Sequence, residues 1–497
     1  MKTLRKNFRM HVAFRSTVMG CLCVASAFSS ENGHAGDFQK VENTIVDARA
    51  LTFAEGPAAR FGGTVNGRSH QQSPIVSYRG YQYVGYVDSR RRVCLARREL
   101  PASDWSVIRF EDHHFGSNDS HNTIVIGICK KDGTIHLAFD HHASPLHYRV
   151  SKRNVANRGE SFDWEPSLFG PIQSALGPIE TAERVTYPRF FSSPDGDLML
   201  YYRAMTSGNG DGMIERYDGD AHDWVPGMGK FIARDIGVYE HNGRTSLYRC
   251  PYMNSLSFSN QRLHATWVWR DRFEKTNPRN QHDLCYAYSD DMGNTWHDSN
   301  GKIIGETGTN PIHLDTPGLV VLPIAPENHV ANQNTHYAFD DGSIHVIARQ
   351  RQAGRSEHRY HHYWRGGNRK WNLEVLPFSG QRPKLVGNKD GVLFLAYTDE
   401  VNDEYQLFIA RGIPNASRSL WQWERLPTPE QPTFGEPLVD VTRWEEEQVL
   451  SVYVQSPPKR IIRTDKRDPI DGVPSPLHVI DFHLKPIVHA PKMESSL

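Results

Sequence analysis

The segment SHNTIVIGICKKDGTIHLAFDHH, residues 120–142, sets His121 ahead of one alternating apolar run and His141 and His142 at the end of the next, with a KDG turn between them. In an antiparallel hairpin the start of the first strand and the end of the second lie at the same end, so His121 and His141 can meet there. Side chains alternate between the two faces of a strand, so only one of His141 and His142 should turn toward that point, and His142 is the neighbouring contact. TYPRFFSSPDGDLMLYYR repeats the device, with Tyr187 entering its first strand and Arg203 leaving its second; PYMNSLSFSNQRLHATWVWR offers Tyr252 on entry and Arg270 on exit. Imidazole, phenol and guanidinium groups at one rim suit β-elimination from a 4-linked uronic acid chain. A guanidinium pairs with the uronate carboxylate and stabilises the developing enolate. A neutral histidine takes the C5 proton near neutral pH, and a second histidine or a tyrosine returns one to the departing O4.

The elements that carry these groups recur. YRGYQYVGYVD (78–88), KDGTIHLAFDH (131–141), PDGDLMLYYRA (194–204), SNQRLHATWVW (259–269), DDGSIHVIARQ (340–350), KDGVLFLAYTD (389–399) and WEEEQVLSVYV (444–454) each read as a turn followed by an alternating strand. Units spaced by about 50 to 80 residues fit propeller blades with inserted loops. The expectation is an all-β, seven-bladed β-propeller. A strand within residues 42–53 should pair with one within 476–484 to close the ring. A parallel β-helix is the competing architecture, but its coils repeat faster. No linker or composition shift marks a second domain, so residues 37–497 read as one propeller.

Composition narrows the partners. The chain has 497 residues with 57 basic and 57 acidic side chains, and this balance argues against nucleic acid. Residues 1–36 read as a secretion signal, a basic start followed by the apolar STVMGCLCVASAF. The expected location is extracellular or periplasmic. VMGC before Cys21 loosely resembles a lipoprotein signal and leaves a lipid-anchored form open. No later apolar run reaches the ~20 residues of a membrane span, and a monomer is expected. Cys94, Cys129, Cys250 and Cys285 remain beyond the leader, enough for two disulfides or part of a metal site. HDLC (282–285) places His282 beside Cys285, and a hairpin turning at Asn260–Gln261 brings Cys250 near His282, with His264 at the far end. Thiolates and imidazoles suit a structural Zn²⁺.

At the histidine-bounded hairpin, TYPRFF…DGDLMLYYR, RLHATWVWR and HDLCYAYSDDMGNTW, the chain resembles the β-propeller ulvan lyases, polysaccharide lyase families 24 and 25. The resemblance implies that His121 and His141 are catalytic histidines, Tyr187 an active-site tyrosine and Arg203 the residue that neutralises the uronate. A further tyrosine is expected on the next blade: strand position favours Tyr252, spacing from Arg203 favours Tyr248. The resemblance also implies endolytic cleavage of ulvan, a sulfated polymer of rhamnose 3-sulfate and uronic acids, with an unsaturated uronyl end left behind. A structural metal is expected, and calcium is seen in the broader family, although no compact acidic loop identifies calcium ligands here.

SDDMGNTW (289–296) fits the Asp-box pattern, a structural turn of propeller blades. SEHRYHHYWRGG (356–367), with Arg359 inside it and Arg349, Arg351 and Arg355 nearby, could line a groove for sulfates and sugar faces. Two rival readings stay open at this point: a sialidase-like glycoside hydrolase, and a carbohydrate-binding propeller without turnover.

Overall fold

The computed structural model describes residues 38–52, 54–55, 65–116, 119–273, 280–366, 369–458, 462–463 and 474–485; the leader, including Cys21, lies outside them. Seven antiparallel sheets follow one another along the chain as the blades of a propeller. The first runs Ile75–Tyr78, Tyr81–Val87, Arg92–Glu99 and Ser106–His114. Its opening hairpin turns on Arg79 and Gly80, both at positive φ (47° and 78°), the two-residue geometry that matches the twist of the flanking strands. The second blade has Ile124–Ile128, Ile135–Phe139 and Tyr148–Val150, and the third Val185–Ser192, Leu198–Ala204, Gly212–Asp218 and Asp223–Ile232.

The fourth blade begins with Arg249–Ser259, Arg262–Asp271 and Gln281–Ser289. Its Asp-box acts as a turn: Asp291 Oδ1 accepts from Ser289 Oγ at 2.7 Å and from the Thr295 amide at 2.8 Å, while Trp296 is fully buried. The fifth and sixth blades begin at Thr335–Ala338 and Lys384–Gly387. The seventh combines Leu438–Val439, Val449–Gln455 and Pro474–Leu484 with the N-terminal strand Phe38–Leu51 on its outside, in register Val41↔Phe482 and Ile45↔His478. The expected closure is therefore present, with strands from both chain ends paired in one sheet.

Buried polar groups weld the closure to the first blade. Asp481 accepts from Arg98 at 2.7 Å and pairs with Arg443 at 2.9 Å. Asp440, the N-cap of the short helix Val441–Glu447, also accepts from Ser77 Oγ at 2.6 Å and Gln82 Nε2 at 2.9 Å. Apolar contacts also pack blade against blade. Gly127 faces Phe190 so closely that an added Cβ would sit 2.6 Å from the ring, so the second and third blades depend on a missing side chain there.

Four cysteines, Cys94, Cys129, Cys250 and Cys285, are buried and free, which replaces the expectation of disulfides among them. No helix among the described residues is long and apolar enough to cross a membrane.

Candidate active site at one mouth of the propeller

The second, third and fourth blades deliver side chains to the mouth from near the entry of the inner strand and the exit of the second. His121 lies just before Ile124–Ile128. The second strand of that blade ends at Phe139, and Asp140 (φ +61°) and Ala143 (φ +59°) then turn the chain sharply. Beyond the turn His142–Ser144 forms a short strand paired with the inner strand of the third blade, His142 opposite Thr186.

That turn corrects the histidine assignment. Strand alternation does not extend to residues 141 and 142, because the left-handed Asp140 breaks it. His141 is buried and points into its own blade. Its Nδ1 lies 3.3 Å from Ser144 Oγ, its Nε2 accepts the His147 amide at 3.3 Å, and its ring stacks on His147. His142 is the ring that meets His121: their centroids are 4.2 Å apart at 20°.

Asp119 joins the two. Its Oδ1 bonds His121 Nδ1 and its Oδ2 bonds His142 Nδ1 at 2.5 Å. The carboxylate is held well below the usual range because the two imidazole contacts outweigh its burial. It fixes each ring with a proton on Nδ1, so Nε2 is the basic nitrogen. Burial pushes the His121 imidazole down to about 4, although Asp119 opposes the shift. His121 is therefore neutral near pH 7.

Tyr187 sits at a bulge. The pairing of Val185–Ser192 with Leu198–Ala204 skips between Thr186 and Arg189, and Tyr187 has φ +55°. Bulges re-aim side chains, and this one turns the phenol toward the imidazoles, 5.9 Å from His121 between centroids. Burial raises the Tyr187 pKa far above its ordinary value, so the phenol keeps its proton.

Arg203, opposite Thr186, places its guanidinium carbon 4.8 Å from the Tyr187 centroid and 5.5 Å from that of Tyr252. It is 1% exposed, and none of its three side-chain nitrogens has a hydrogen-bond partner among the described residues. Tyr252 enters from the fourth blade, its hydroxyl accepting from Arg270 Nη1 at 2.9 Å and lying 3.0 Å from Ser207 Oγ. Tyr248 is exposed, whereas Tyr252 is buried and packs against Arg203 and Tyr187.

The sequence reading missed two members. His70, on the loop leading into the first blade, stacks on His121 at 4.4 Å and on Tyr187 at 5.2 Å. Nothing in RSHQQS marks it, because a loop residue has no periodicity to reveal its direction. Asp119 did carry a signal: an aspartate two residues before a histidine can cap the turn, and its Oδ1 accepts the His121 amide at 3.0 Å.

A cavity of about 300 Å³ opens beside His121 and His70, lined also by Arg68, Arg349, Arg382 and Glu436. Arg382 is neutralised by Glu436 at 2.8 Å; Arg203 has no such acid among the described residues. A second cavity, about 790 Å³, shares Arg349, His358 and Gln381 with the first and reaches Arg359, Phe378, Tyr405 and Arg425. Arg359 thus borders an adjoining groove rather than the cluster itself.

The expected zinc quartet does not assemble. Cys250 packs beside Tyr187, Tyr252 and Val268, and its sulfur accepts the Gly208 amide at 3.0 Å. Cys285 packs with Trp267 and Trp269 on the other face of the sheet. His264 Nδ1 bonds Tyr286 Oη at 2.9 Å, and His282 is held between Asp271 at 2.6 Å and Asp283 at 2.9 Å. One ion cannot reach ligands on opposite faces. Two groups of described residues do bring three metal-competent side chains together, Asp119–His121–His142 and His113–Asp140–His147, and neither contains a member of the quartet.

Residues 81–377 match the model of the BNR repeat-containing family. The chain is 24% identical over 336 residues to the long isoform of ulvan lyase from Pseudoalteromonas sp. (strain PLSV), an overlap covering 58% of this chain and 32% of that one. The chain thus spans about a third of the length of that curated relative. Among solved structures it is similar in fold to the polysaccharide lyase Uly1, with TM-score 0.68 and 17% identity over 89% of this chain and 99% of the other. It is also similar to a PL25 ulvan lyase bound to -[GlcA(1-4)Rha3S]-, with TM-score 0.61 and 11% identity over 83% and 92%.

Proposed function

The chain belongs to the BNR repeat-containing family, and from the groups at its mouth we propose that it is a polysaccharide lyase cleaving 4-linked uronic acid chains by β-elimination, with ulvan as substrate. The observation that carries this reading is Arg203, a buried guanidinium with no hydrogen-bond acceptor among the described residues, set against Tyr187. An uncompensated buried cation is costly, and a substrate carboxylate supplies the missing partner.

The steps then follow from the neighbours of Arg203. The guanidinium pairs with the uronate carboxylate and stabilises the enolate formed when C5 loses its proton. His121 takes that proton on Nε2, with Asp119 holding the tautomer. The C5–H electron pair becomes the C4–C5 double bond, the C4–O4 bond breaks, and the Tyr187 phenol protonates O4. His142 shares Asp119 and keeps the His121 ring in place. Arg270 orients Tyr252 against the same substrate face. The adjoining groove, with Arg359, Arg425, Tyr405 and Phe378, suits sulfate groups and sugar faces.

The relatives named as ulvan lyases support the substrate. A sialidase-type hydrolase needs a tyrosine nucleophile backed by a carboxylate, whereas Tyr187 packs against the rings of His70, His121, His142 and Tyr252 and the Arg203 guanidinium. The basic-then-apolar leader supports export to where such a polymer occurs. Incubation with ulvan, followed by ultraviolet absorbance of the conjugated uronyl double bond, tests the proposal: a hydrolase or a binding module makes no such product.

A further inference from the structure

We propose that His113, Asp140 and His147 form a divalent-metal site, of the kind zinc fills, on the seam between the first and second blades. His113 comes from the outer strand of the first blade, Asp140 follows the second strand of the next, and His147 precedes its third strand. One ligand atom from each lies within 4.8 Å of the other two. His113 Nε2 is 2.9 Å from Asp140 Oδ2, and the two imidazole centroids are 4.8 Å apart.

The independent sign is His147 Nδ1, which is buried and has no hydrogen-bond partner among the described residues. A polar nitrogen withdrawn from water without return is destabilising, and an ion beside it removes the penalty. The carboxylate is already held in place: Asn122 donates to Asp140 Oδ1, leaving Oδ2 toward the imidazoles, and Asp140 keeps the uncommon φ of +61°. Phe115 and Phe139 meet the His113 ring edge-on, and His141 stacks on His147, so aromatic rings wall the site. The arrangement accounts for His141, which the elimination does not use.

Two imidazoles and one carboxylate match zinc, with a fourth position left for water; calcium would require six to eight oxygens. The other three-residue group already has a task, because Asp119 orients the His121 and His142 rings at the mouth. An ion at His113–Asp140–His147 would tie the first blade to residues 140–147, the segment that carries His142. Its role is to position that segment, and it holds whatever polymer the mouth cleaves.

The test uses full-length protein stripped with a chelator and titrated with zinc sulfate, read by elemental analysis and melting temperature. Cobalt is added in parallel for its visible spectrum. The expected result is about one equivalent per chain with a raised melting temperature. His113→Gln and His147→Gln should lose both, and His121→Gln should keep both. Wild-type protein that binds neither zinc nor cobalt would overturn the proposal even if the variants misfold. So would zinc retained in His147→Gln, or lost in His121→Gln instead. Zinc binding as expected in a protein inactive on ulvan would sink the lyase reading alone.

Discussion

His121 and His142 stack at 4.2 Å although a whole hairpin separates them along the chain, and a single carboxylate, Asp119, bonds Nδ1 of both. Two imidazoles on one acid share a tautomer and an orientation, which is the preparation a general base needs. His121→Ala should lower kcat by ~10²–10⁴-fold with the fold intact. His142→Ala should lower it as well, through loss of the stacked ring. His141→Ala should instead lower the melting temperature more than it lowers turnover, because the hydrogen bonds of the His141 ring go to Ser144 and His147, close by in the chain. Steady-state kinetics and thermal melts on the three variants separate these outcomes; normal turnover in His142→Ala with inactive His141→Ala would reverse the assignment.

Arg203 should show opposite effects on activity and stability. Arg203→Met removes a buried, unpartnered cation and should stabilise the free protein by about 1–3 kcal/mol. The same change should lower both kcat and substrate affinity, because the charge matters most as the enolate forms. Arg203→Lys should recover only part of the activity, since an ammonium lacks the fork geometry. Denaturant unfolding beside kinetics checks both. A destabilised but active Arg203→Met protein would contradict this account.

The pH dependence of kcat/KM follows from His121. Its imidazole is held at about 4, so the base is neutral above that value and protonated below it. Activity should fall as pH drops through about 4, and the Tyr187 phenol, raised by burial, should keep its proton through the neutral range. Asp119→Asn removes the contact that raises the His121 pKa and should move the acid limb to lower pH. A limb near 6.5 in the wild type would show that another group is the base.

Stability should fall in acid for a separate reason. His136 and His264 are buried and held at about 3, against an ordinary value of 6.5. As pH falls from 6.5 toward 3 the unfolded chain takes up protons that the folded chain refuses, so stability decreases by up to ~1.4 kcal/mol per pH unit for each. His136 bonds Tyr148 Oη at 2.6 Å and Thr134 Oγ1 at 2.7 Å, so His136→Gln should cost stability at pH 7 yet flatten the acid slope. Chemical unfolding at several pH values measures it; an unchanged slope would contradict the cause given.

The propeller was legible because each blade announces itself by a turn and an alternating strand, and the closure because both chain ends carry strand patterns. Tyr187 and Arg203 were legible as entry and exit positions of one hairpin. His141 and His142 were not separable, since the choice rests on Asp140 turning left-handed just after Phe139. The cysteine and histidine quartet misled because nearness along a hairpin does not say which face a side chain takes: Cys250 and Cys285 pack on opposite faces of the fourth blade. His70 reaches the site from a loop, where no pattern points.

The central claim is that the mouth eliminates across a uronic acid that Arg203 holds. Purified protein should be incubated with ulvan and followed by ultraviolet absorbance and by mass analysis of the oligosaccharides, with Arg203→Ala alongside. The account predicts rising absorbance, products ending in an unsaturated uronyl residue, and a rate in Arg203→Ala lower by orders of magnitude. Products gaining water without absorbance, or an Arg203→Ala protein as fast as the wild type, would contradict it.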